Sequence, residues 1–185
     1  MKAYPDTHVT AGSIQFDSQG ISQDAYWDII STYLSITPAF PSANIFSFAI
    51  YSNASFFMPL FAVNRTANDV STILRPLTSA IEQQGFRNST SATTFPTFLE
   101  AFSSVPAFQD TDIGVFQIGN RLLPASLWKD NSTVAALVNV LRGVANAGGG
   151  ILDVTVRPGL EVAGSPNNAV LPAWRDALHS LFVTL

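Results

Sequence analysis

Cysteine is absent from the chain, which excludes disulfides, zinc–thiolate sites and thiol catalysis. Charge is scarce too: the 185 residues include 9 Lys and Arg against 13 Asp and Glu, a formal net charge of -4. Basic residues form no cluster, so a nucleic-acid surface, which needs phosphate-neutralising charge on one face, is not expected. Attraction to an anionic membrane is not expected for the same reason. Long apolar runs are also missing. The runs over 45–50 and 55–63 are the longest, and both fall far short of the ~20 residues a membrane-spanning helix needs. The opening Met1-Lys2-Ala3-Tyr4-Pro5-Asp6 contains no apolar stretch of the kind that makes a secretory leader. Histidine occurs only as His8 and His179, without the paired spacing of a metal site, so no metal is expected.

What is present is apolar and aromatic. Apolar residues make up 47% of the chain and 14 residues are Phe, enough for the core of one domain and unlike a disordered composition. The scarcity of charge fits a surface partly covered by glycans or by another domain. Asn53, Asn64, Asn88 and Asn131 each open an Asn-X-Ser/Thr pattern, a glycosylation acceptor that matters only in the secretory pathway. A secreted protein is therefore expected, although the absence of cysteine alone would lean to the cytosol.

Hydrophobic periodicity divides the chain into strands and amphipathic helices. Val9–Phe16 reads as a strand. A helix from Ser22 places Tyr26, Ile29, Ile30, Tyr33 and Leu34 on one face and stops at Thr37-Pro38. Ile45–Tyr51 and Phe56–Val63 flank the turn residues 52–55 and read as an antiparallel hairpin. Thr66 and Asp69 have capping-box spacing for a helix that Pro76 should kink and Gly85 should end. Phe95–Phe102 reads as a short helix and Gly114–Arg121 as a strand. Asn131 or Ser132 caps a helix that Gly148-Gly149-Gly150 ends, and Ile151–Arg157 reads as a strand. Pro172 starts a last helix carrying Trp174, Leu178, Leu181 and Phe182 on one face. The expected fold class is α+β, an antiparallel sheet with helices packed on one face and its second face left over. The last helix has no capping residue before Leu185, which predicts a piece of a larger protein.

The chemistry-bearing candidates are few. The Gly148–Gly150 cluster follows a helix and precedes a strand, the reverse of a phosphate cradle, and reads as a helix terminator. His179 would lie on the last helix, and no nucleophile-elbow pattern supports a Ser–His–Asp triad. On the strand 151–157, Asp153, Thr155 and Arg157 alternate with Leu152, Val154 and Val156. The polar trio is either the solvent side of an antiparallel sheet or a face that covers a ligand.

The run Asn168-Ala169-Val170-Leu171-Pro172-Ala173-Trp174-Arg175 resembles a motif of fungal FAD-linked oxidases related to berberine bridge enzyme, within the vanillyl-alcohol-oxidase fold. Leu171 stands where those proteins commonly carry a second Asn. Lys2-Ala3-Tyr4-Pro5, Phe57-Met58-Pro59-Leu60-Phe61, Arg75-Pro76-Leu77 and Arg121-Leu122-Leu123-Pro124 resemble family segments in the same order. The resemblance implies that 1–185 is a substrate-binding domain whose FAD-binding domain would precede Met1 and whose closing segment would follow Leu185. The cofactor it implies is FAD, held mainly by that other domain or chain. The activity it implies is oxidation of an alcohol, hemiacetal or similar small molecule with O2 as acceptor. In this reading Gln117, Thr155 and Arg157 line the substrate pocket and Asp153 is the proton acceptor. A cofactor-free small-molecule binder, a non-redox cyclase and an inactive fragment are the alternatives.

Overall fold

The computed structural model describes residues 7–105, 117–156 and 170–184. Seven strands form one sheet in the order β4-β1-β3-β2-β6-β7-β5, and every neighbouring pair is antiparallel. The strands are β1 Val9–Asp17, β2 Ile45–Tyr51, β3 Ser55–Val63, β4 Asn88–Phe95, β5 Ile118–Pro124, β6 Gly150–Thr155 and β7 Ala177–Thr184. Helices α1 Gln23–Ile36, α2 Ala67–Gln83 and α4 Asn131–Asn146 contribute to one core on one face of the sheet. The short α3, Phe98–Ser103, lies instead on the opposite face, against β1 and β4.

Local chemistry explains most of the boundaries. Ser22 accepts the backbone N–H of Ala25 and caps α1. Pro38 follows that helix and carries no N–H, so it cannot serve the Leu34 carbonyl four residues back. Thr66 and Asp69 make the reciprocal capping box of α2, and Pro76 lies inside that helix. Gly85 ends α2 at φ +75°, a left-handed value that glycine adopts without strain. Asp130, not Asn131 or Ser132, is the N-cap of α4, its carboxylate accepting from Ser132 N–H.

The faces follow from the pleat, since alternate residues of a strand point to opposite sides. Ile14, Phe16, Phe56, Met58 and Leu60 point under the helices and are buried. They meet Tyr26, Ile30, Tyr33 and Leu34 of α1 and Val70, Leu74, Leu77 and Ile81 of α2 in one continuous core. Phe16 and Phe56 stack at 4.9 Å, and Tyr33 packs edge-on to Phe56 at 5.2 Å.

Two elements differ from the sequence expectation. Strand β4 was not expected, because its residues 88–95 are polar and mostly exposed; an edge strand needs no buried stripe. The predicted last helix is a 3-10 turn, Pro172–Asp176, followed by strand β7. Residues 177–181 are all buried, and a strand covered on both sides carries a near-continuous apolar run that periodicity cannot separate from a helix. The expectation of an uncapped terminal helix falls with it.

Candidate functional site

The face of the sheet away from α1, α2 and α4 is built from the alternate residues of each strand. By register Phe46 lies beside Phe61, Ile50 beside Phe57, and Phe48 and Ile50 beside Val154 and Leu152. Leu152 in turn lies beside Phe182. This is an aromatic and aliphatic surface in the middle of the sheet, with Phe46 47% and Ile50 48% exposed. Large apolar side chains left open in this way are usually covered by something in the functional molecule.

At one side of this face a trough of about 480 Å³ runs over β1. Ser13 sits between Pro59 and Ser91, and Gln15 sits between Phe57 and Ser89. The β4 wall is hydroxylated by Ser91 and Thr93, the β3 wall is aromatic through Phe57, and Phe95, Ser104 and Val105 also line the trough. Ser13 Oγ and Ser91 Oγ are 3.1 Å apart across it. A side chain at Gly12 would place its Cβ 2.5 Å from the Ser91 carbonyl oxygen, so only glycine lets β1 and β4 approach this closely. A second hollow of about 430 Å³ lies by Pro41, Asn44, Phe46, Val63, Thr155 and Val156.

The structure redistributes the residues singled out from sequence. On β6 the buried positions are Ile151, Asp153 and Thr155, while Leu152 and Val154 are half-buried. The polar residues of that strand therefore face the helices, and the apolar ones face the open side. Asp153 does not point into an open pocket: it is 0% exposed and bonded within the core, which removes it from the position of a substrate-facing proton acceptor. Thr155 is bound to the backbone N–H and C=O of Ser47 and reaches only the wall of the second hollow. Gln117 is exposed just ahead of β5 and lines neither hollow. Arg157 lies outside the described residues, as do Asn168 and Ala169.

Beneath the sheet Asp153 belongs to a buried array that sequence reading did not foresee. His179 is on β7, not on a helix, and its Nδ1 lies 2.5 Å from Asp153 Oδ1. Its Nε2 lies 2.8 Å from Thr37 Oγ1. Thr37 donates its hydroxyl to the Leu34 carbonyl, and Trp128 Nε1 donates to the same oxygen at 2.7 Å. These two bonds satisfy the carbonyl that Pro38 cannot. The Trp128 ring stacks on the His179 imidazole at 4.6 Å with the planes 8° apart. Tyr33 Oη donates to Asp153 Oδ2 at 3.3 Å.

A Thr–His–Asp order is the connectivity of a nucleophilic triad. Here Thr37, His179 and Asp153 are each 0% exposed, and the hydroxyl is spent on a helix-end carbonyl, so the array holds structure together. Burial, then the charge of Asp153, pushes the hydroxyls of Tyr33 and Tyr51 well above the ordinary tyrosine range. Tyr51 Oη is buried with no hydrogen-bond partner among the described residues. The sign that could have revealed the array is the set of polar residues on strands otherwise filled with apolar ones: Ser47, Asp153, Thr155 and His179.

Of the sequon asparagines, Asn64, Asn88 and Asn131 are exposed. Asn53 is half-buried, with its amide accepting from Trp27 Nε1 and donating to Asn146 Oδ1.

No protein-family profile matches the chain. Among curated proteins it is 26% identical over its whole length to an FAD-linked oxidoreductase, patO, of Aspergillus clavatus, covering 32% of that protein. It is 25% identical over 96% of its length to the bifunctional decalin synthase calF of Penicillium decumbens, and 27% identical over its whole length to the FAD-linked oxidoreductase ZEB1 of Gibberella zeae. It covers 32% of each of those proteins as well, so the chain spans about a third of the length of these relatives. Two VAO-type flavoproteins of Myceliophthora thermophila C1 share its fold. One has a TM-score of 0.82 and 13% identity, with 99% of this chain and 35% of the other covered. The second has a TM-score of 0.79 and 16% identity, with 97% and 33% covered. A BBE-like protein of Physcomitrella patens matches at a TM-score of 0.63 and 10% identity, over 97% of this chain and 38% of that one.

Proposed function

From a chain that is related to the fungal FAD-linked oxidoreductases and has the fold of a corresponding third of VAO-type flavoproteins, we propose that it is the substrate-binding part of an FAD-dependent oxidase. The observation that carries this reading is the division of the sheet. One face is filled by helices, and the other presents Phe46, Ile50, Leu152, Val154 and Phe182 with no charged residue among them. Such a surface fits the flat, largely apolar ring of a flavin. It does not fit the pyrophosphate: Gly148–Gly150 follows α4 and leads into β6, so no helix N-terminus faces an anion there. FAD is thus held mainly by a second domain or chain, and this chain covers it.

Bound FAD supplies the hydride acceptor and its reoxidation by O2 to H2O2. The chain's own residues do the remainder. Phe46, Phe48, Ile50 and Phe182 exclude water from the reacting face. Ser13, Gln15 and Ser91 orient a small molecule in the trough over β1. That molecule is an alcohol, a hemiacetal or a similar compound. Asp153, committed to His179 and Tyr33, keeps β6 and β7 in register with α1 and takes no substrate proton. The four sequons support a reading of the chain as a secreted glycoprotein.

The test is co-production of the chain with its FAD-binding part. Flavin absorption bands and substrate-dependent O2 uptake are expected in the purified assembly. Phe46→Asp with Ile50→Asp should abolish both, while Val140→Asp on the helix side, at a residue 64% exposed, should abolish neither. Flavin retention by the double variant would defeat the reading. The likeness to a bifunctional decalin synthase favours a second reading, in which the same trough folds a neutral precursor for ring closure without redox change.

A further inference from the structure

We propose that His179 donates a hydrogen bond from each ring nitrogen, and that the proton it thereby holds against Asp153 clasps the end of α1 to β6 and β7. The clasp does not depend on the oxidase reading; it follows from the directions of the hydrogen bonds. Thr37 Oγ1 lies 2.8 Å from the Leu34 carbonyl oxygen. A carbonyl can only accept, so the one hydroxyl proton of Thr37 lies between these two oxygens. Thr37 Oγ1 then has only lone pairs to offer His179 Nε2 at 2.8 Å, and Nε2 must carry a proton. On the other side of the ring Nδ1 faces Asp153 Oδ1 at 2.5 Å. Asp153 Oδ2 accepts from Tyr33 Oη, so both oxygens of this side chain face donors, as a carboxylate requires.

Three further features favour the second proton on the ring. An imidazolium offsets the Asp153 charge, so the core buries a neutral pair instead of a lone carboxylate. The Trp128 ring lies parallel to the imidazole at 4.6 Å, and an indole face attracts a cation. The Leu34 carbonyl, reached through Thr37, belongs to the last turn of α1, where the helix dipole favours positive charge. The register neighbours of His179 are Leu123 on β5 and Thr155 on β6. Lys129 and Asp130, beside Trp128, are exposed. Tyr33 of α1 and Tyr51 of β2 also titrate in this cluster. Burial, then the charge of Asp153, holds both well above the ordinary tyrosine range. With the proton in place, the end of α1, the turn Ala125–Lys129, β6 and β7 are tied together. Without it one bond to the ring is lost. The chain after Thr37, whose Pro41 and Asn44 line the second hollow with Thr155, then loosens its tie to β7.

The measurement is nitrogen–proton correlation NMR of the histidine rings in the isotope-labelled full chain at neutral pH, with His8→Gln to assign the signals. Both ring nitrogens of His179 should carry a proton. Asp153→Asn keeps the shape and removes the charge, and its amide can turn a donor toward the ring. Nδ1 should there lose its proton while Nε2 keeps it. Thr37→Val removes the oxygen facing Nε2, so that proton should be lost and the one on Nδ1 kept. Thr37→Ser restores the oxygen and should restore both. The Phe40 amide, bonded to the Thr37 carbonyl, should exchange about tenfold faster in Asp153→Asn and in Thr37→Val, matching the loss of roughly one hydrogen bond. As pH rises in the native chain, the Nδ1 proton and the Trp128 indole signal should change in one step, ahead of tyrosinate absorbance. A bare ring nitrogen in the native chain at neutral pH would overturn the proposal, as would both protons surviving in either variant or an unaltered Phe40 amide. The native spectrum is decisive even where a variant does not fold. The oxidase reading fails separately, when flavin does not travel with the assembly.

Discussion

At the residue scale, Asp153 decides more about the interior than about chemistry. It is the acceptor for His179 and Tyr33, so removing it strands two donors in a dry core. Asp153→Ala should cost about 1–3 kcal/mol in urea unfolding, the range for leaving a buried hydrogen-bonding group without its partner. Trp128→Phe keeps the ring over His179 but loses the bond to Leu34, and should cost about 1 kcal/mol. Raised tyrosine values give the pH dependence its sign. Tyr33 and Tyr51 are neutral in the fold and held well above their ordinary range. Their contribution is complete below the unfolded value of about 10 and is lost as pH rises beyond it. Stability should therefore fall in alkali, with tyrosinate absorbance appearing together with unfolding rather than before it. Asn53, its amide engaged at both ends, should carry no glycan. Endoglycosidase mass shifts in secreted material should map to Asn64, Asn88 and Asn131.

At the element scale, the strands and helices differ in how openly their residues announce them. α2 has a capping box, an apolar stripe and a closing glycine, and each was legible because each is a local interaction. Thr66→Ala should cost about 1 kcal/mol by removing the cap, read by thermal unfolding. Asp69 is held below the usual carboxylate range, first by the Thr66 backbone N–H. Its share is present above the unfolded carboxylate value and is lost as pH falls through its lowered folded value. β4 and β7 carried no such signals. β4 is a polar edge strand that forms because β1 pairs with it over eight residues, and Gly12 is the residue that allows the approach. Gly12→Ala should separate β1 from β4, lower the melting temperature and weaken binding in the trough.

At the scale of the whole molecule, what matters is that a seven-stranded sheet has two unlike faces. The helix-covered face contains the stability. Leu77→Ala, at a fully buried position of α2, should cost about 2–5 kcal/mol. The open face leaves Phe46 and Ile50 exposed, so changes there should spare folding, and in the proposed reading they alter what the chain associates with. The chain covers about a third of the length of its relatives and leaves Phe46 and Ile50 outward on the sheet; in the proposed reading that face meets the FAD-binding part.

The amino-acid sequence by itself determined the α+β class, the hairpin of β2 and β3, the three long helices and the likeness to FAD-linked oxidoreductases, because helical stripes, caps, turns and a short motif are properties of neighbouring residues. Only the tertiary structure decided the faces. Alternation on β6 separates polar from apolar residues but cannot say which side meets the helices. The apolar set was expected inside; the structure turns Asp153 and Thr155 inward, because His179, Tyr33 and Ser47, distant in sequence, arrive there to pair with them. The same reversal leaves Leu152 and Val154 on the open side. The partners that make burial of a polar group favourable come from other strands and helices, and pairing across such distances exists only once the chain has folded.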